Sequence, residues 1–120
     1  MRQHLLAGLL MAACGAAMAQ APASAAPAKP VSIKPSKGHE KCLQLEAGQK
    51  LEYRFDSTAK LNFNLHYFKS GDQVYYPVKL DRTTGESGLY EVRAREKYCL
   101  AWENRTDADV DLNYSYRIGK

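Results

Sequence analysis

Cysteine is the residue type in this sequence whose chemistry is most constrained by its position. The chain has three cysteines, Cys14, Cys42 and Cys99. In the alternating pattern around them, Cys42 and Cys99 both fall on the polar side of their strands, so that both sulfur atoms would lie on one outer face of a sheet. We therefore predict a disulfide between Cys42 and Cys99. Two free thiols or a pair of metal ligands are the alternatives for the same residues.

Aromatic side chains are the second chemical resource of the chain. The sequence contains eight tyrosines, three phenylalanines and one tryptophan. Most of them occupy inward positions and are expected in the core, but Phe68 and Tyr75 break the alternation beside the turn at residues 70–72. Exposed rings can stack on sugars or anchor a protein partner. We select Tyr75, Tyr76 and Trp102 as candidate binding residues.

The residues that most often perform catalysis are not arranged for it here. His39 and His66 are not part of a spacing typical of a zinc site, and no Ser or Cys nucleophile has a recognisable motif with a paired histidine. Asp107, Asp109 and Asp111 alternate as calcium ligands do, but the glycine and glutamate of an EF-hand loop are missing. We predict a non-enzymatic domain without catalytic residues, a metal or a cofactor.

The charge of the chain is unevenly distributed. The formal net charge is +4, yet the segment from Glu40 to Lys120 holds thirteen basic and 13 acidic residues and is neutral. The excess positive charge comes from Arg2, Lys29, Lys34 and Lys37. A neutral domain lacks the basic face that nucleic acid requires, so we expect a protein or a cell-envelope component as the partner.

The N-terminal residues 1–19 have the three parts of a secretory signal peptide: a positive start, a short apolar run and an Ala-x-Ala ending. The apolar run is shorter than the roughly 20 residues that span a bilayer. Residues 20–38, rich in Ala, Pro, Ser and Lys, are predicted to be a flexible linker, and residues 39–120 the folded domain. We expect a periplasmic or secreted protein. In the alternative reading, lipidation of Cys14 anchors it to a membrane.

We predict that the exported protein begins at Gln20, because cleavage after Ala19 fits the Ala-x-Ala rule. Intact-mass measurement of the protein from the producing cell would show a chain starting at Gln20. A mass corresponding to a lipidated chain that starts at Cys14 would contradict this prediction.

The folded domain shows a hydrophobic period of two and no helical period. Strict alternation predicts strands with one buried face. Turn-forming clusters lie between the runs, at residues 47–49, 56–58, 70–72, 84–88 and 104–107. This spacing predicts an all-β fold that is an antiparallel sandwich or barrel. Of these we predict an antiparallel β-sandwich, jelly-roll-like, of about seven to eight strands with one disulfide. Pro77 lies within one run and predicts an edge strand or a bulge there. The runs are 43–45, 51–55, 61–67, 74–80, 90–94, 98–102 and 110–118.

Several short motifs occur in the same order as in a known family. Cys42 is followed by Leu45-Glu46-Ala47-Gly48, then by Ser70-Gly71-Asp72 with Tyr75 and Tyr76. Gly88-Leu89-Tyr90 and Tyr98-Cys99-Leu100-Ala101-Trp102-Glu103-Asn104 come later. Over about residues 39–118 the chain resembles the GOLD (Golgi dynamics) domain, the β-sandwich of eukaryotic secretory cargo receptors. The resemblance implies a β-sandwich, a disulfide and, at most, an interaction role.

These observations predict an exported, non-enzymatic binding domain whose partner cannot be named from the sequence. Two further hypotheses of the binding class are a carbohydrate- or glycan-binding sandwich and an inhibitor of a periplasmic or host hydrolase. The exposed aromatics support the first of these hypotheses. The small size and the disulfide of the domain are compatible with the second.

Overall fold

The structure is a computed structural model that describes residues 24–120. In this part of the chain all regular structure is β, and no helix is long and apolar enough to cross a membrane. The predicted signal peptide, with Cys14, lies outside the described residues. The all-β, antiparallel fold class is confirmed. The seven strands are β1 (Ser24–Ala25), β2 (Val31–Ile33), β3 (Gly38–Leu45), β4 (Lys50–Lys69), β5 (Gln73–Glu91), β6 (Glu96–Glu103) and β7 (Val110–Gly119).

Strand β4 is the centre of the single curled sheet. On one side it pairs with β5 along most of its length. On the other side its first part, Lys50–Ser57, pairs with β7 and its later part, Asn62–Tyr67, pairs with β6. Strands β1 and β2 extend the sheet beyond β7, and β3 extends it beyond β6. Strand β4 therefore connects the two halves of the domain, one formed by β7 with β1 and β2, the other by β6 with β3.

Strands β4 and β5 bend together where the sequence predicts two turns. The turn-forming cluster around Asp56 faces the one that contains Gly85, because these two residues are paired. Beyond this pair the register shifts, and the Thr58 hydroxyl oxygen accepts a hydrogen bond from the Asp111 backbone N–H at 2.9 Å. Both clusters lie within continuous strands, so the prediction that they are turns between separate strands is wrong.

The curl packs the inner faces of the two halves against each other. The ring centroids of Phe55 and Phe63 are 4.6 Å apart, and Trp102 lies 5.7 Å from Phe55 and 4.7 Å from Tyr114. Each fully buried large apolar side chain stabilises the fold by about 1.5–3 kcal/mol. The buried core consists of Ile33, Leu45, Leu51, Tyr53, Phe55, Leu61, Phe63, Leu65, Val92, Tyr98, Leu100, Trp102, Val110, Leu112 and Tyr116.

The disulfide fastens the edge strand β3 to β6. Cys42 and Cys99 face each other directly in the antiparallel register, with their Cα atoms 4.0 Å apart. The bridge closes a segment with a sequence separation of 57 residues. In the chain-entropy account a loop of this length contributes about 4 kcal/mol to stability. The disulfide predicted from the parity of the two strands is confirmed.

Part of the predicted linker is folded. Val31–Ile33 forms β2 and pairs antiparallel with Val110–Leu112 of β7. Ile33 is 2% exposed and belongs to the core. The prediction of a flexible linker over residues 20–38 is therefore wrong for this stretch, because two alternating apolar residues find an open strand edge to pair with.

Strand β5 is an edge strand that two irregularities protect from pairing with another chain. At Pro77, which lacks a backbone N–H, the register with β4 shifts between Leu65 and Tyr67. A second shift leaves Arg82 with a positive φ of 58°, and its N–H donates to Asn62 Oδ1 at 3.0 Å. Proline and bulges are common protections of exposed edges. The sequence prediction for Pro77 is confirmed.

Asn104 joins three segments at one end of the domain. Its side chain is completely buried. The Nδ2 group donates to the carbonyl oxygens of Ile33 and Ala108, each at 2.8 Å, and Oδ1 accepts from the N–H and the hydroxyl of Thr106. All the polar atoms of this amide are satisfied, as a buried polar group requires. The residue holds β2 and the β6–β7 loop together.

We predict that Asn104→Ala lowers the free energy of unfolding by about 3 kcal/mol, because it leaves buried carbonyl and N–H groups without partners. Asn113→Ala is the matched control, since the Asn113 amide is exposed and makes one 3.3 Å hydrogen bond to Asp56. Urea denaturation followed by the fluorescence of Trp102 measures both variants. Equal stabilities of the two variants would contradict the structural role of Asn104.

Candidate functional site

Exposed aromatic side chains gather at the free end of the β4–β5 hairpin. Phe68 is 47% exposed, Tyr75 42% and Tyr76 52%. Beyond Tyr67, β4 pairs with β5 but no longer with β6, so this end of the hairpin extends past the neighbouring strand. We call residues 68–76 the aromatic tip. Among residues 24–120, Leu89 is the one further large apolar residue that is strongly exposed, and it lies near the opposite end of β5.

A tight turn places the two strands of the tip in register. Lys69 pairs with Gln73, which leaves Ser70, Gly71 and Asp72 as the connection. Gly71 has a φ of 78°, a conformation that glycine adopts without steric cost. Loops of three residues with a left-handed glycine are common in β-hairpins. The Ser-Gly-Asp sequence therefore determines where the tip reverses.

On one face of the hairpin, Tyr75 belongs to a row of tyrosines that continues into the core. Its ring stacks on Tyr67 with a centroid distance of 5.5 Å and an interplanar angle of 17°. Tyr67 contacts Tyr98 at 5.0 Å, and Tyr98 contacts Tyr90 at 5.7 Å. Tyr98 is 1% exposed, and its hydroxyl donates to the Ala94 carbonyl at 2.6 Å. The row gives Tyr75 a rigid support.

On the opposite face, Phe68 and Tyr76 flank His66. The ring centroid of His66 lies 5.8 Å from that of Phe68 and 5.8 Å from that of Tyr76. Side chains alternate between the two faces of a strand, so Tyr76 lies on the face opposite its neighbour Tyr75 and on the same face as Phe68. His66 is not among the binding residues predicted from the sequence. Its parity, shared with Phe68, was the signal that could have placed it beside the tip.

Two lysines lie next to the exposed rings, Lys69 within the tip and Lys79 just beyond it on β5. The ammonium group of Lys69 lies 6.0 Å from the centroid of the Tyr75 ring, and that of Lys79 lies 5.7 Å from the Tyr76 ring. Asp72, in the turn, is exposed. At these separations each cation interacts with the ring face, which is worth about 0.5–1 kcal/mol at an exposed site. The rings and the lysines therefore form one amphipathic surface.

Trp102 does not belong to this surface. It is 2% exposed and packs among Phe55, Phe63 and Tyr114. A ring enclosed in this way cannot stack on a ligand at the surface, so Trp102 is withdrawn as a binding candidate. Its inward parity was already the signal for a core position. Tyr75 and Tyr76 are accessible, and their role in binding remains a hypothesis.

A second concave feature lies at the other end of the sheet. A shallow groove of about 690 Å³ crosses β1, β7, β4 and β5. Among the residues that line it, Arg117 and Glu52 form an ion pair, with Nε 2.8 Å from the carboxylate. Arg54, Ser87 and Ser115 lie beside that pair. These side chains do not include a nucleophile paired with a base, as covalent catalysis would need.

Comparisons with known proteins show the fold and leave the family open. No protein-family model and no curated protein matches the chain. The structure of PliG from Aeromonas hydrophila, a periplasmic inhibitor of g-type lysozyme, is similar with a TM-score of 0.59 and 19% identity, over 84% of this chain and 90% of that one. A designed double-stranded β-helix has a TM-score of 0.41 and 16% identity, over 79% and 96%. The resemblance to the GOLD domain extends no further than the all-β fold.

We predict that the domain loses stability between about pH 10 and pH 12 through the tyrosine row that supports the tip. Burial raises the pKa of Tyr98 to about 12, and the neighbouring Tyr90 and Tyr67 add to this effect. An unfolded tyrosine ionises near pH 10. The stabilisation is therefore complete below pH 10 and is lost as the pH rises through the folded-state pKa.

Tyr98→Phe should make this alkaline decrease shallower, at a cost of about 1 kcal/mol at neutral pH for the lost hydrogen bond to Ala94. Urea denaturation at several pH values measures both effects. Tyr75→Phe is the matched control, because the Tyr75 ring is exposed. An unchanged pH profile in Tyr98→Phe would contradict the prediction.

Proposed function

We propose that this chain is a non-enzymatic inhibitor of a glycan hydrolase of the lysozyme class, and that it contacts the enzyme through the aromatic tip. The observation that carries the proposal is the arrangement of exposed rings on both faces of one projecting hairpin, with Tyr75 on one face and Phe68 and Tyr76 on the other. Aromatic residues that a partner encloses supply most of the binding energy in many protein interfaces.

A projecting hairpin with rings on both faces suits a concave partner. Inside a cleft, both faces of the tip would lose contact with water at once, so that Tyr75 and Tyr76 would contact opposite walls. The support of Tyr75 by Tyr67 favours such binding, because a ring already held in place loses little conformational entropy on association. Hydrolases that cut long glycan chains have a cleft of this kind.

Charge supports the same partner. Most glycoside hydrolases use a pair of carboxyl groups that flank the bond to be cleaved. The ammonium groups of Lys69 and Lys79 next to the rings complement an acidic cleft better than a basic one. Electrostatic complementarity of this type increases the association rate and the specificity.

The likeness in fold to a periplasmic inhibitor of g-type lysozyme adds support from outside the chain. That fold is adequate for inhibition of a hydrolase in PliG, and the export predicted here would bring this protein to a compartment where such enzymes act. The type of lysozyme is left to experiment, since the identity between the two chains is 19%.

Direct binding of glycan fits the geometry less well. A sugar-binding platform presents rings side by side on one face, with polar groups around them for the hydroxyl groups. Tyr75 and Tyr76 instead lie on opposite faces of the hairpin, so one sugar chain could not stack on both. This difference makes glycan binding an outcome to be tested.

The test is inhibition of peptidoglycan lysis by c-type, g-type and i-type lysozymes. We expect the wild-type chain to inhibit at least one type. Tyr75→Ala and Tyr76→Ala should each weaken inhibition by about 30-fold, the effect of losing a ring that contributes about 2 kcal/mol. Leu89→Ala is the matched control, because Leu89 is 56% exposed but lies away from the tip. It should stay within about twofold of wild type.

Two results would overturn the proposal. The first is the absence of inhibition and of binding with all three lysozyme types. The second is retention of the chain on purified peptidoglycan without any enzyme, lost in Tyr76→Ala, which would assign the tip to glycan binding. Thermal unfolding of each variant checks that the domain remains folded.

A further inference from the structure

His66 is a buried titratable residue next to the aromatic tip, and the proposed contact with an enzyme does not use it. The residue is 9% exposed. The centroid of its ring lies 5.8 Å from that of Phe68 and 5.8 Å from that of Tyr76. The Phe68 ring meets it edge-on, at an interplanar angle of 87°. A change in the position of the His66 ring would therefore act directly on two exposed rings of the tip.

Both nitrogen atoms of the His66 ring face oxygen acceptors. Nδ1 lies 2.7 Å from Oδ1 of Asn64, and Nε2 lies 3.4 Å from Oε1 of Glu40. An amide oxygen and an ionised carboxylate can only accept hydrogen bonds, and a neutral imidazole has a single N–H group to donate. The protonated ring, which donates from both nitrogens, is therefore the form that satisfies the two contacts at once.

We propose that His66 is a pH-sensitive positioning residue of the aromatic tip, and that its protonation holds Phe68 and Tyr76 in place. Histidine changes its charge between about pH 5 and pH 8. The protonated ring is held on both sides, by Asn64 and by Glu40. When the proton leaves, Nδ1–H remains on Asn64, but the lone pair of Nε2 then faces the carboxylate and the ring is released on that side. The two exposed rings are therefore held more firmly at acidic pH than at alkaline pH.

The charged groups around His66 come from the two neighbouring strands β3 and β5. The carboxylate of Glu40 on β3 favours the protonated ring. The ammonium group of Lys79 on β5 opposes it, but this group lies against the ring of Tyr76, the other titratable residue in contact with His66. On β6, Cys99 is opposite His66 and is joined in the disulfide, so that it does not titrate. Because the carboxylate faces the imidazole directly, Glu40 has the stronger influence.

The inference adds regulation by pH to the binding surface, and in this respect it rests on the proposed inhibitor function. A protonated His66 orders Phe68 and Tyr76 and also places a positive charge beside them, which an acidic cleft would attract. Proton uptake and binding of the enzyme are then coupled, and the coupling of two sites is commonly worth about fivefold or more in affinity. We therefore expect an inhibited lysozyme to bind about fivefold more tightly at about pH 5 than at about pH 8.

The first experiment needs no partner and uses the purified chain with its disulfide intact. NMR follows the nuclear Overhauser effects between the His66 ring and the rings of Phe68 and Tyr76, from about pH 5 to about pH 8. These effects should be strong at the acidic end and should weaken as His66 loses its proton. In Glu40→Gln they should be weak at both ends, because the charge that holds Nε2 is absent. Effects of equal strength throughout the titration of His66 would overturn the proposal, whether or not the chain inhibits a lysozyme.

The second experiment measures binding to a lysozyme that the wild-type chain inhibits, by calorimetry at both ends of the same pH range. His66→Phe keeps a ring between Phe68 and Tyr76 but cannot be protonated. The fivefold difference in affinity should be absent in this variant, so that comparison with the wild-type chain separates the effect of His66 from titration of the enzyme. Thermal unfolding checks that each variant is folded.

His39→Gln is the matched control, because His39 is the other histidine among residues 24–120 and its Nε2 atom lies 3.0 Å from the Tyr114 hydroxyl oxygen, away from the tip. It should retain the pH dependence of the wild-type chain. The same pH dependence in His66→Phe and the wild-type chain would overturn the regulatory role of His66 and leave the inhibitor function intact. If no lysozyme binds, the inhibitor function fails, and the NMR experiment alone decides whether His66 positions the two rings.

Discussion

The structure depends on one constraint, namely that β4 pairs with two different strands along the same edge. Its first part pairs with β7 and its later part with β6, and the change occurs between Ser57 and Asn62. A straight strand would place β6 and β7 in one flat layer with an exposed apolar face. The bend at this point instead turns the inner face of one half toward the other, so that Phe55 and Trp102 can meet. The core is a consequence of that bend.

Three further interactions keep the curled sheet closed. The disulfide fastens the outermost strand of one half, and Asn104 links β2 to the β6–β7 loop in the other. His39 of β3 and Tyr114 of β7 contact each other across the concave side. Each of these interactions joins segments far apart in the chain, which explains why a small domain without helices can enclose a continuous core.

The sequence predicted those features that depend on the period of one strand. Alternation gave the all-β class, and parity gave the pairing of Cys42 with Cys99, because both are local patterns with a direct geometric meaning. The bend of the hairpin was missed, since a cluster such as Asp56-Ser57-Thr58 predicts a turn unless its partner on β5 is known. The strand at Val31–Ile33 was missed for a related reason: an edge at β7 stabilises it, and composition contains no information about that edge. The error at Trp102 is different. Trp102 was predicted to bind because of its residue type, although its inward parity indicated a core position.

The bulges of the β4–β5 hairpin lie inside its strands, at Pro77 and Arg82, and thus away from the Ser-Gly-Asp turn. The alignment of the two strands is therefore set by irregularities that lie outside the turn itself, the nearer one directly next to the tip. Changes in the length or sequence of that turn need not disturb the core. With the tip as the proposed recognition surface, recognition and folding would be encoded in separate parts of the same hairpin, and evolution could diversify the first while the second stays constant. For protein engineering, this makes the scaffold suitable for exchange of its terminal loop.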